Sequence, residues 1–117
     1  MPCGERSGVM FESKVRSEQT DLLMEAVLRL ESVEDAYRFF EDICTIPELK
    51  SIAQRLEVAV MLRGHVTYQE IARRTGASSA TISRVNRALT YGADGYNRVL
   101  LALERDGKLD AQDSRAE

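Results

Sequence analysis

Cysteine and histidine are nearly missing from these 117 residues: two of the first, one of the second. Cys3 and Cys44 stand far apart with no further thiol or imidazole at ligand spacing, which excludes a zinc site and a redox pair. Cys44 continues the apolar face of a helix and is expected to be a buried thiol acting as a small hydrophobe. His65, after Arg63 and Gly64 in a connector, is expected in solvent. No carboxylate constellation surrounds it, so hydrolytic and metal-dependent chemistry have no foothold, and neither an enzyme nor a bound metal or cofactor is expected. No apolar run approaches the roughly 20 residues that span a bilayer, and no basic-then-apolar leader opens the chain, so a cytoplasmic protein off the membrane is expected. Strand-like alternation, internal repeats and a glycine-rich phosphate loop are also missing, which leaves an all-α fold of six helices. Aromatic residues make up 6% of the chain. Only Tyr68 and Tyr91 flank its basic stretch, so single-strand binding on stacked aromatic platforms is excluded.

Helical periodicity fills most of the rest. Leu22, Leu23, Ala26, Val27 and Leu30 predict a first long helix between Glu18 and Glu31. Ser32 can cap a second, whose wide apolar band is Val33, Ala36, Tyr37, Phe39, Phe40, Ile43 and Cys44. Ile46-Pro47 opens a third that runs to Arg63 and stops at Gly64. Leu49, Ile52, Ala53, Leu56 and Val58 to Leu62 cover more than one of its faces, which predicts burial on several sides, in a central helix or between two subunits. Arg55 and Glu57 within it must reach the surface or pair. Gly92 and Gly95 mark a break before a last short helix with Tyr96, Val99, Leu100, Leu101 and Leu103. Residues 1–16 and 105–117 are polar, lack periodicity and are expected to be loosely ordered.

From Thr67 to Tyr91 the spacing is that of a helix-turn-helix. Ile71 and Ala72 lie on the inner face of a short helix, Gly76 sits where the chain must bend sharply, and Ile82 and Val85 follow on a second helix facing the first. Ser78 can cap that second helix. Its outward residues Ser79, Ala80, Thr81, Ser83, Arg84 and Arg87 fall between the buried positions. Short side chains in the first turn let that end enter a major groove, where hydroxyls meet base edges and a small methyl meets thymine. Gln69, Arg73, Arg74 and Arg87 are candidates for phosphate. Residues 63 to 91 hold five cations against Glu70 alone, a net +4, whereas the remainder, eleven against eighteen, carries −7. An acidic chain with one basic segment points to a local anion-binding face.

The stretch AYRFFEDICTIPELKSIAQRLEVAVMLRGHVTYQEIARRTGASSATISRVNRALTYG, Ala36 to Gly92, resembles the Trp repressor superfamily, and more closely its YerC/YecD branch. RLEVA, the glycine-led turn with ATISRV, and ALTYG are distinctive in combination. The resemblance implies a Trp-repressor-like domain over residues 17–104, an intertwined homodimer, and helix-turn-helix units that read two half-sites of a palindromic operator on double-stranded DNA. It places Ser79, Ala80, Thr81 and Ser83 on base-facing positions, and aligns Gln69 with a DNA-touching position whose cationic group is absent here. The tryptophan pocket transfers poorly. Arg84 matches the arginine that covers the indole, but Val85 stands where the family has glycine and Ala88 where it has serine. A second indole-flanking arginine aligns with Gln54, or with Arg55 after a one-residue slip. A branched side chain in that space should occlude the ligand. A transcriptional regulator, by analogy a repressor, unresponsive to tryptophan is therefore expected. The alternative is a protein-interaction or assembly module that reuses the scaffold without specific DNA readout.

Overall fold

The computed structural model describes residues 11–109, so the expectations for Cys3 and for most of the two chain ends fall outside the described residues. Six α-helices and no strand are found there: α1 Glu18–Val27, α2 Val33–Ile43, α3 Ile46–Arg63, α4 Tyr68–Thr75, α5 Ser79–Tyr91 and α6 Gly95–Arg105. The expected all-α architecture is therefore present. The chain divides at the Ile43–Cys44 junction into two compact units.

In the first unit, α1 opens on a capping box: Thr20 N–H donates to Ser17 Oγ at 3.1 Å, and Ser17 N–H donates to Thr20 Oγ1 at 2.8 Å. Such reciprocal bonds satisfy two of the amides that a helix start leaves over. The helix is shorter than its apolar periodicity predicts, ending at Val27 rather than near Glu31. Arg29 and Leu30 bond three residues back, to Ala26 and Val27, in a tightened turn. The competing signal is the next helix start. Ser32 Oγ accepts from Asp35 N–H at 3.0 Å, and the Asp35 carboxylate reaches back to Glu31 N–H at 3.1 Å. Ser32 thus caps α2 as expected. Phe39 and Phe40 meet edge to face, centroids 5.4 Å apart, yet neither α1 nor α2 has a buried residue.

The second unit has a core. Val58 and Ala59 of α3, Ile71 of α4, Ala77 in the turn, Ile82 and Val85 of α5 and Leu100 of α6 are buried together. At about 1.5 to 3 kcal/mol for each fully buried Ile, Leu or Val side chain, this cluster is the main source of the unit's stability. α3 packs on α4, α5 and α6, and a closed capping box of Thr45 and Glu48, with Pro47 in its first turn, fixes its start. Within the single chain only Val58 and Ala59 of α3 are enclosed, while Ile52, Ala53 and Leu56 are exposed. Cys44 departs from expectation. It lies past the end of α2 and is half-buried, because the apolar band stops at Ile43, where the helix does. Arg55 makes no salt bridge with Glu57 and instead donates to Ser51 Oγ at 3.1 Å. α6 begins at Gly95 itself, and Asn97 ties it to α5 by donating to Leu89 O at 3.0 Å. Arg105 is the last residue of α6, and Leu109 beyond it packs against the core.

Candidate nucleic-acid interface

α4 is eight residues long and α5 thirteen, joined by Gly76, Ala77 and Ser78. Gly76 has φ 76° and ψ 5°, the left-handed region that glycine enters without strain. Its N–H donates to Ala72 O at 2.9 Å, which closes α4. Thr75 reinforces the bend, donating its hydroxyl to Ile71 O at 2.8 Å and accepting Ala77 N–H at 3.0 Å. Ala77 then drops into the core, and Ser78 caps α5 by accepting Thr81 N–H at 3.1 Å. From across the unit, Gln54 Nε2 of α3 donates to Thr75 O at 3.1 Å and so satisfies a carbonyl at the end of α4.

The register of α5 separates two faces. Ile82 and Val85 point into the core with Leu89 partly behind them, while Ser79, Ala80, Ser83, Arg84 and Arg87 are exposed and Thr81 is half-buried. Ser79, Ser83 and Arg87 recur at intervals of four, so they form one outer row. The Ser78 hydroxyl donates to Thr81 Oγ1 at 3.1 Å, and this leaves the Thr81 proton for another acceptor. Small hydroxylic side chains at the start of a helix, with its core face anchored, give a protrusion that fits a groove.

The cations divide unequally. Arg63 is engaged structurally, donating to Glu104 Oε2 at 2.8 Å and to Asn97 Oδ1 at 3.3 Å in a half-buried group. The cationic set of the helix-turn-helix thus narrows to Arg73, Arg74, Arg84 and Arg87 against Glu70, a net +3. On α4, Glu70 takes both neighbours: Arg73 Nε donates to Oε1 at 3.0 Å, Arg74 Nε to Oε2 at 2.8 Å, and Arg73 Nη2 also to Oε2. Hydrogen bonds from Arg73 first and Arg74 next hold the Glu70 carboxyl down to about 2. On α5, Arg84 and Arg87 form no ion pair among the described residues. Gln69 is exposed on α4. The pairing by Glu70 escaped the charge count, although its three- and four-residue spacing to the arginines was a usable signal. Nothing local announced the Gln54 and Arg63 bonds, which join residues 21 and 41 positions apart.

Of the pocket positions, Val85 is a core residue with 1% exposure, Ala88 is half-buried, Arg84 is exposed, and the Gln54 amide is held by α4.

An all-helical unit that presents one short-chained, cation-flanked helix beyond a glycine turn defines a helix-turn-helix protein. The model of the Trp repressor protein family matches residues 18–104. The uncharacterized protein YerC of Bacillus subtilis (strain 168) is 50% identical over 101 residues, covering 86% of this chain and 94% of YerC. A TrpR-like protein of Eubacterium eligens ATCC 27750 superposes with a TM-score of 0.74 at 55% identity, over 83% of this chain and 97% of that one. A Trp repressor candidate from Staphylococcus aureus gives 0.73 at 44% identity, over 82% and 93%. The chain belongs to the Trp repressor family, in its YerC-related branch, a family of DNA-binding regulators and not of enzymes.

Proposed function

We propose that the protein is a cytoplasmic, homodimeric, sequence-specific regulator of transcription, a repressor, that reads a palindromic operator on double-stranded DNA through α5 and does not respond to tryptophan. The observation that carries this is the split register of α5: Ile82 and Val85 fix the helix from behind while Ser79, Ala80 and Ser83 stand clear in its first turns. Base discrimination falls to Ser79, Ala80, Thr81 and Ser83, the helix start to Ser78, and backbone contact to Gln69, Arg73, Arg74, Arg84 and Arg87. Phosphate contacts set affinity without choosing sequence.

Two further observations support the finer points. Helices of ten and eleven residues are marginal alone in water, and α1 and α2 bury nothing, so a second copy of the chain is the natural cover for their apolar faces. Val85 inside the core and Gln54 committed to Thr75 O support a site with no room or donor set for an indole ligand.

Selection of bound duplexes from a random library, with and without L-tryptophan, tests this function. The expected outcome is one palindrome, with half-sites about one helical turn apart, enriched equally in both arms. Thr81→Ala should lose about 1 to 3 kcal/mol of preference for that palindrome, whereas Arg87→Ala should weaken all duplexes alike and flatten the salt dependence. No enrichment from the library would instead favour an interaction module, and enrichment only with tryptophan would restore the corepressor.

A further inference from the structure

The pattern Thr-x-x-Glu opens a helix twice in this chain, and its two glutamates do different work. In α3, Glu48 turns back, accepts Thr45 N–H at 2.8 Å and completes the box. In α4 the first half of the box forms, with Glu70 N–H donating to Thr67 Oγ1 at 3.2 Å. The Glu70 carboxylate then turns forward, and both its oxygens are taken by Arg73 and Arg74. A carboxylate on the helix beside the candidate DNA-reading one thus forgoes its local capping partner and takes up donors of two guanidinium groups.

We propose that Glu70 is an internal counter-anion that occupies the α4 arginines, lowers sequence-independent DNA affinity and so raises the selectivity of α5. The inference rests on the DNA-binding reading above. A phosphate that approaches α4 meets two cations already shared with one anion, and it releases fewer counterions than two unpaired arginines would. Arg84 and Arg87, without such a partner, carry more of the salt-dependent affinity. Pairing through Nε also orients the guanidinium groups, since Arg74 keeps both terminal amino groups for a phosphate while its plane is held. The restraint is permanent, because a carboxyl held near 2 remains an anion wherever duplex DNA is stable.

The test measures binding of the full chain to a selected duplex and to a shuffled one across a salt series, with thermal melts to establish folding. Glu70→Gln should bind the shuffled duplex roughly five- to tenfold more tightly at moderate salt, with a salt slope steeper by about 0.9. Its ratio of selected to shuffled affinity should fall. Arg73→Gln is informative even where Glu70→Gln folds poorly: it should change the slope by less than half as much as Arg87→Gln. Equal slope changes for the two arginine variants, or an unchanged slope and shuffled affinity in a folded Glu70→Gln protein, would overturn the proposal while leaving DNA binding in place. Wild-type protein that binds neither duplex would overturn the underlying reading, and the proposal with it.

Discussion

The two units of the chain differ in how far they enclose their apolar residues. Past Cys44, seven hydrophobic residues close into one core, and the charged side chains lie around it. Before it, nothing in α1 or α2 is buried, and Leu22, Leu28, Val33 and Tyr37 are 71%, 74%, 74% and 62% exposed. Local rules are obeyed in both, with side-chain caps at the starts of α1 to α5 and amphipathic faces. The difference teaches that amphipathicity states a requirement for a covering surface without saying where it comes from. The second unit meets that requirement in part from its own helices, with Ile46, Ile52, Val99 and Leu101 still exposed, and the first is expected to meet it from another copy. Under the proposed function, association and DNA contact fall to different parts of the chain.

The strongest way to break this contrast is to charge the uncovered faces. Leu22→Asp with Tyr37→Asp should convert a dimer of the 13.1 kDa chain to monomer in sedimentation equilibrium. Two side chains on each of two protomers, at about 1.5 to 3 kcal/mol each, would remove about 6 to 12 kcal/mol of interface burial. The far-ultraviolet circular dichroism of α1 and α2 should fall with it. A wild-type chain that sediments as a monomer at micromolar concentration would refute the assignment of these faces to a partner.

A smaller effect is expected on the other side of the comparison. Ile82 has no exposure and is held by residues of three neighbouring elements, so Ile82→Ala should cost about 2 to 5 kcal/mol by lost transfer energy and residual cavity. Chemical denaturation monitored by the helical signal measures it. A cost well under 1 kcal/mol would mean that α5 is not anchored as described, and the outward row of serines would lose its rigid base.

What was legible in advance follows the same line between local and distant. Gly76, Ser78, Ser32 and Pro47 declare themselves, because a left-handed bend, a cap and a first-turn proline depend on one or two residues and their own backbone. The candidate α5 row was legible for a similar reason, since burial of Ile82 and Val85 fixes the direction of every other position on that helix. The end of α1 is not, because Leu30 continues the apolar rhythm while Ser32 and Asp35 compete to start the next helix. Cys44 followed the same misleading rhythm past the end of α2. The Arg63–Glu104 and Gln54–Thr75 bonds lie outside any local window, so the charge of residues 63 to 91 makes the basic face one arginine too wide.

The end of α3 offers the finest adjustment, because glycine sits one residue away from where the backbone needs it. Gly64 has an ordinary φ of −86°, whereas His65 takes φ 64°. The closing bonds explain why: Val66 N–H reaches Met61 O at 3.1 Å and His65 N–H reaches Leu62 O at 3.0 Å, a pair that requires the left-handed residue at position 65. Val66 and Met61 both pack against the core, which holds His65 in place against its own preference. A side chain at Gly64 would meet only Met61 O at 3.5 Å and Val60 O at 3.7 Å, ordinary contacts. Exchanging the two requirements with Gly64→Ala and His65→Gly should therefore stabilise the second unit by about 1 kcal/mol, the relief of left-handed strain with the unfolded-state entropies of the two changes nearly cancelling. Thermal unfolding of the double variant decides the matter. A lower midpoint than wild type would show that the His65 side chain supplies a compensating interaction, and that this corner is not simply a misplaced glycine.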